Sequence, residues 1–373
     1  MKKILFLFFV FVPLLYSQES IDKLLYLTSN RASIAVNYQT LKIGDETLSQ
    51  LSFPVQLTIP LSNRITFSVA NNSAMSKYED SELNGIGETR LGVRYILPGE
   101  RIMLRGLVGL PTGKTKLNNE QFFISQLISL NPFDYPVSYY GQGVNANISA
   151  AFAYPIARYL VVGLGAAYSY RGAFYPRESE TGGKFDPGDE IIADMGFDLK
   201  LGSSASFNFD FAYTLYSRDK YDDVEIFELG DKISLYGNFA FQTSKIKHNI
   251  FVIHRIKSNN TSLSDISEED LQTGAQIDAG YRGNIPLSHR LSIFLKLDAK
   301  IYKDSEHFSA GELFKTGESS VFGLGAGLNI NASDFVLFEI FGGYKTGTIK
   351  LPDSELESDI SGLNVNLNSI IKF

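Results

Sequence analysis

The sequence predicts an all-β fold, a transmembrane antiparallel β-barrel of about 16 strands with about 14 as the alternative, and three observations lead there. The first is a two-residue hydrophobic beat. Leu51, Phe53, Val55, Leu57 and Ile59 alternate with Ser52, Pro54, Gln56, Thr58 and Pro60, and the beat returns at Phe207, Phe209, Phe211, Tyr213 and at Leu363, Val365, Leu367. Successive strand side chains point to opposite faces, so period two marks strands. The second is charge deep inside those strands, at Asp194, Asp198, Asp210, Asp278, Lys296, Asp298 and Lys300. A barrel in a bilayer accommodates both faces, with apolar side chains towards lipid and polar ones towards a wet interior. The third is an alternation of short and long connectors. Leu61-Ser62, Pro98-Gly99-Glu100, 201–204 and 332–334 are short, whereas 112–142, 171–188, 217–229, 258–270 and 304–317 are long. Short turns on one rim and long loops on the other are the outer-membrane arrangement.

The elements follow in order. Met1-Lys2-Lys3 precedes an apolar run from Ile4 to Tyr16, then Ser17-Gln18-Glu19. A basic start, an apolar run short of the roughly 20 residues a spanning helix needs, and a small residue at the cut predict a cleaved signal peptide over 1–17. Residues 18–30 follow as a periplasmic or plug segment, in which Ile21, Leu24 and Leu25 are spaced for a short helical turn. The barrel is expected over 31–373 as one domain. Its strands fall near 31–40, 49–60, 63–72, 88–97, 101–111, 143–155, 158–170, 189–200, 205–216, 230–243, 246–257, 271–285, 290–303, 318–331, 335–346 and 360–373. Most of these reach the length of about nine to eleven residues that a tilted spanning strand requires. An even strand number puts both termini on the periplasmic rim and the long loops outside the cell. The longest loop, 112–142, carries Phe122, Phe123, Ile124, Leu127 and Ile128 at helix-like spacing, followed by Pro132 and Pro136. It is expected to be either an inward or rim-lying lid or a plain solvent loop.

Composition narrows the function classes. The chain has no Cys, which removes disulfides and thiolate metal sites, and its net charge of −7 argues against nucleic acid as a partner. Hydrophobic residues make up 44% and mean hydropathy is −0.03, an average in which alternating strands hide their membrane face. Twenty Tyr and 28 Phe, without Trp, can supply interfacial girdles. Export of such a chain points to the bacterial outer membrane, with outer-membrane lipid and a small-molecule cargo as partners.

Strand parity assigns Arg90, Arg94, Arg105, Asp194, Asp198, Lys200, Asp210, Asp278, Arg282, Lys296, Asp298, Lys300 and Glu339 to the interior. A cation exposed at the bilayer midplane would cost about 2–4 kcal/mol, which forces that parity. These charges read either as a pore constriction or as bracing of the wall. Strands 246–257 and 335–346 are apolar on both faces, making Phe251, Ile253, Phe335, Leu337 and Phe341 candidates for an apolar lumen lining suited to greasy ligands. Pro54 removes a ladder N–H from a regular strand and reads either as a break in the wall or as a bulge. The histidines, at 248, 254, 289 and 307, lack metalloprotease spacing, and no Gly-x-Ser-x-Gly elbow occurs. Gly109–Thr115 ends like a phosphate-binding loop but has Val108 where its first glycine belongs. No catalytic, cofactor or metal site is expected, and no enzyme.

Gly85, Gly87, Glu88, Arg90 and Tyr95, then Pro111, Thr112, Gly113 and Lys114, form a pattern that resembles the FadL-like outer-membrane transporters of the phenol-degradation type. The resemblance covers about thirty residues, with Glu88 where the pattern usually has Asp. It implies passive passage of small hydrophobic molecules, aromatic or fatty-acid-like, through a barrel plugged by its N-terminal segment. The alternatives are a general diffusion porin and a structural or adhesion barrel acting through its outer loops. The terminal Phe373, on an alternating last strand, is similar to the sorting signal that outer-membrane barrels present to the barrel-assembly machinery.

Overall fold

A computed structural model of the chain describes residues 30–130, 132–178, 183–263, 268–271, 273–309, 312–350 and 357–373. Strands β1 (Arg31–Ile43), β2 (Glu46–Pro60) and β3 (Ile65–Tyr78) are followed by β4, which runs in two segments, Ser81–Ile86 and Thr89–Ile96. Then come β5 (Ile102–Leu110), β6 (Asn145–Ala157), β7 (Leu160–Arg171), β8 (Glu190–Leu201), β9 (Ala205–Tyr216) and β10 (Lys232–Thr243). The wall is completed by β11 (Ile246–Lys257), β12 (Gln276–Pro286), β13 (Leu291–Tyr302), β14 (Ser319–Asn331), β15 (Val336–Lys350) and β16 (Glu357–Lys372). Each strand pairs antiparallel with the next, and β16 closes on β1 from Arg31↔Lys372 to Ile43↔Ile360, giving a closed barrel of 16 strands. Closure leaves no unpaired edge, as a bilayer requires.

One face of the wall is apolar all the way round. Ile34 and Val36 on β1, Ile148 on β6, Leu164 on β7, Met195 on β8, Leu324 on β14 and Val365 on β16 are exposed. Following the paired registers around the barrel puts every one of them on the outside. Within this apolar belt the charged strand residues fall on the inside.

The strands are longer at the outer rim than their hydrophobic beat suggests. β1 and β2 run on to a tight turn at Gly44-Asp45, with Gly44 at φ +58°, where glycine is the favoured residue. β3 continues to Tyr78. Past the apolar belt the outward positions are polar, Thr47 and Lys77 among them, so the alternation that reveals a strand fades while its hydrogen bonds persist.

Two irregularities sit side by side in the wall. β3 pairs with the two segments of β4 in registers that differ by one residue, Ser73↔Ile86 on one side and Ala70↔Arg90 on the other. The extra residue is a β-bulge at Gly87-Glu88, where Gly87 N donates to Asn72 O at 2.5 Å. It switches parity, so Gly85 and Glu88 both face inward. At Pro54 the β2–β3 ladder is continuous through Pro54↔Asn72. The β1–β2 pairing lapses between Ile34↔Val55 and Asn37↔Ser52 and resumes in the same register, so no residue is bulged there.

Beyond the outer rim, short strands at Phe185–Asp186, Asp219–Tyr221, Val224–Glu228, Asn260–Leu263 and Glu268–Leu271 form a five-stranded sheet. They are two to five residues long, too short to show a sustained alternation, which is why they read as loops.

Candidate functional site: the loop-filled lumen

The connection between β5 and β6 folds into the barrel. Its helix α1 (Asn119–Ser129) starts at Asn118, whose Oδ1 accepts Gln121 N at 2.9 Å, a cap typically contributing about 1 kcal/mol. Glu120 in the first turn complements the helix dipole. Phe122, Ile124, Leu127 and Ile128 are buried, and each such side chain contributes about 1.5–3 kcal/mol. They pack with Leu130, Phe133, Tyr135, Val137 and Tyr140 of the same loop against inward residues of the wall, Leu41, Ile43, Leu48, Ala74, Leu83, Val321, Ile349 and Ile360. The loop therefore covers the outer half of one side of the lumen, from β1 to β4 and from β14 to β16.

Polar contacts fix its path. Gln39 Nε2 donates to Phe133 O at 2.6 Å, Tyr135 OH to Leu48 O at 2.7 Å, and Gln50 makes a reciprocal pair with the backbone of Val137 at 2.8 and 2.9 Å. Tyr140 OH lies 2.9 Å from Ser76 Oγ, and burial pushes its pKa up to about 12. Asp134, at φ +57°, reaches Lys300 Nζ at 3.1 Å and Lys345 Nζ at 3.5 Å. Burial alone would raise the Asp134 carboxyl, but Lys300, Lys345 and Lys296 outweigh it and hold the group well below the usual carboxylate range.

Most of the family-like motif lies along this loop's attachment to the wall. Gly85 lies beneath the Tyr140 ring, where an added Cβ would be 3.3 Å from Cδ1. Glu88 accepts Gln142 N at 2.6 Å and Asn145 Nδ2 at 3.2 Å, and Arg90 donates to Tyr139 OH. Thr112 Oγ1 accepts Thr89 N at 2.8 Å and donates to Gly87 O at 3.1 Å, while Lys114 Nζ donates to Gln121 Oε1 at 2.7 Å. Gly113 meets Gly141, backbone against backbone, where the two arms of the loop pass. Pro111 begins the outgoing arm, and Tyr95 faces outward, 37% exposed.

Arg94 and Arg105 are inward neighbours on β4 and β5, and Asp194, Asp198 and Asp210 cluster inward on β8 and β9. Arg255 Nη1 meets Asp278 at 2.5 Å, Arg282 meets Glu339 at 2.8 Å, and Lys296 lies 3.8 Å from Asp298. Phe251, Ile253, Leu337 and Phe341 face inward; Phe341 stacks on Phe294, whose other neighbour is the Arg282 guanidinium at 3.9 Å. Phe335 is a correction to the lumen set. It precedes β15 in the turn Ser333–Val336, at the rim that carries the short turns, and is 63% exposed, because the strand begins one residue later. The N-terminal segment 18–30, the expected plug, lies outside the described residues apart from Asn30.

Sequence reasoning passed over Asp134, Tyr139, Gln142, Phe294 and Lys345. Lys345 and Phe294 share parity with Glu339 and Lys296 on their strands, so the same rule finds them. Asp134 and Gln142 carry no such signal, since their roles arise only when the loop meets the wall.

No family model matches the chain, and no curated protein matches it in sequence. Among solved structures it is similar to the TodX deltaS2S3 mutant monoaromatic hydrocarbon channel, at 11% identity over 93% of this chain and 91% of that one, with a TM-score of 0.46. It is also similar to OprD of Pseudomonas aeruginosa (10% identity, 92% and 95% covered, TM-score 0.46). A third likeness is to the anion-selective porin from Comamonas acidovorans (11%, 92% and 99%, TM-score 0.43). These are likenesses of barrel architecture.

Proposed function

We propose that this chain is a passive channel of the bacterial outer membrane, exported by a cleaved signal peptide, whose lumen is narrowed by its own loop 111–144. The observation that carries the reading is the combination of an apolar outer face with an ionic inner face that the loop covers on one side only. The inward residues from β5 to β13 are polar or charged in the majority and offer a path for small hydrated solutes. No bond need be made or broken along it.

A second reading, uptake of small hydrophobic molecules, has its own support. Phe251, Ile253, Leu337 and Phe341 face inward, and the motif shared in part with FadL-like transporters points the same way. In that reading Pro54 marks a lateral exit, at the level where the β1–β2 ladder lapses.

The test is single-channel conductance of the refolded mature protein in a planar bilayer, repeated without residues 18–30. Steady steps from the intact protein are expected. A barrel that stays closed until 18–30 are removed would shift support to the plugged hydrophobic transporter, and one that conducts in neither form would defeat the channel reading.

A further inference from the structure

Two unpaired charge clusters of opposite sign face the lumen at one level. Arg94 and Arg105 are direct cross-strand partners, both pointing inward. Like charges directly opposite one another destabilise a sheet. Arg94 Nη2 donates to Thr66 Oγ1 at 2.8 Å, its Nε is buried without a hydrogen-bond partner, and among the described residues neither arginine meets a carboxylate. On β8 and β9 the carboxylates of Asp194 and Asp210 lie over Gly165 and Gly196 of the neighbouring strands, in space that any Cβ there would fill. Neither is in an ion pair among the described residues, and Asp198 beside them accepts Asn208 Nδ2. Several other inward charges are matched, Arg255 with Asp278, Arg282 with Glu339 and Asp134 with Lys300 and Lys345, while Lys232 and Lys257, cross-strand partners at the loop-bearing end, share the Tyr216 ring.

The register fixes their relative heights. Stepping from Arg90 through Gly109 and Asn145 ends at Arg171, the outer end of β7, so each step to the next strand climbs towards the outer rim. At a strand tilt of about 40° each step climbs about 3 Å, and each residue along a strand spans about 2.5 Å of height. From Arg105 the path runs through Ser149 and Ala167 to Ile192 and then Thr214. Asp194 lies two residues below Ile192 and Asp210 four below Thr214. Both therefore return to the level of Arg105, within about 4 Å, on the adjoining quarter of the wall.

We propose that Arg94 and Arg105 with Asp194 and Asp210 form a transverse charge filter for small zwitterionic solutes of the amino-acid or short-peptide type. A solute passing between them is turned so that its carboxylate faces the guanidiniums, which offer paired N–H···O bonds, and its ammonium faces the aspartates. Each cluster then gains the counter-charge that the wall withholds. The inference rests on the channel reading and names its cargo.

The test compares alanine with its uncharged isomer lactamide, which share atoms and size and differ in charge separation. The full mature protein is placed in vesicles, and entry is followed by osmotic swelling, with protein-free vesicles subtracted. Alanine is expected to enter about threefold or more faster than lactamide. The preference should vanish in R94Q/R105Q and in D194N/D210N, each checked for barrel folding by circular dichroism. Salt-gradient potentials give a second readout, with the arginine variant turning towards cations and the aspartate variant towards anions. Equal entry of the two isomers through a conducting barrel, or a preference that survives both variants, overturns the filter alone. Vesicles no leakier than protein-free ones, with no conductance steps, overturn the channel reading beneath it.

Discussion

Asp134 is the residue on which the far side of the loop turns. Its carboxylate meets two lysines, and Lys345 has only 8% of its side chain exposed. Removing one partner of a buried ion pair leaves the other charge uncompensated, at a cost of about 3–5 kcal/mol. Asp134 keeps 30% of its own side-chain surface, so the low end applies, about 3 kcal/mol. Asp134→Asn should therefore make departures of the loop about a hundredfold more frequent, seen as brief high-conductance events in single-channel records. The pH dependence has a definite sign. The folded pKa lies below the unfolded value of about 3.9, so the stabilisation is fully present above that value and is lost as pH falls through the folded one. Conductance through loop departure should stay level from pH 7 to about pH 4 and rise only in stronger acid. A rise already near pH 6 would show that some other group holds the loop.

At the scale of elements, the loop depends on its two arms passing at glycines. A Cβ on Gly141 would stand 2.7 Å from Gly113 C and 2.8 Å from Lys114 C, both backbone atoms that cannot swing away. Gly141→Ala should loosen the loop by about 1–3 kcal/mol, the usual cost of overpacking. Gly106→Ala on β5, where the added carbon meets nothing within 4 Å, should be silent. Limited proteolysis within 112–142 separates the two. The wall itself was legible: each of the sixteen wall strands overlaps an expected segment, because one apolar and one polar face impose period two, whereas outer portions such as Ser81–Ile86 fell between expected segments. Loop 112–142 was legible only as a helix with an apolar face. Whether that face met lumen or lipid depends on Leu41, Leu48, Leu83, Ile349 and Ile360, which are distant in sequence and look like ordinary strand residues. Parity also fails locally at Gly87-Glu88, since one inserted residue reverses every side chain beyond it.

For the whole molecule, the barrel and its filling are separable in principle. Hydrogen-bonded closure from β1 to β16 uses no residue of the loop. The loop instead shields wall side chains that are apolar on an otherwise wet face, Leu41, Ile43, Leu48, Leu83, Ile349 and Ile360. Replacing residues 115–139 by a short Gly-Ser linker should leave a closed barrel with an unchanged strand content. It should unfold at lower temperature, because those side chains lose apolar cover worth about 25 cal/mol for each Å² returned to water. Conductance should increase, since the outer half of the lumen beside β1–β4 and β14–β16 is no longer occupied. Thermal circular dichroism and single-channel recording on the same preparation check both expectations. If strand content collapses, the loop is required to assemble the wall. If the barrel survives and conductance does not change, the constriction lies instead among the wall's own charges, with Arg94, Arg105, Asp194 and Asp210 the first to examine.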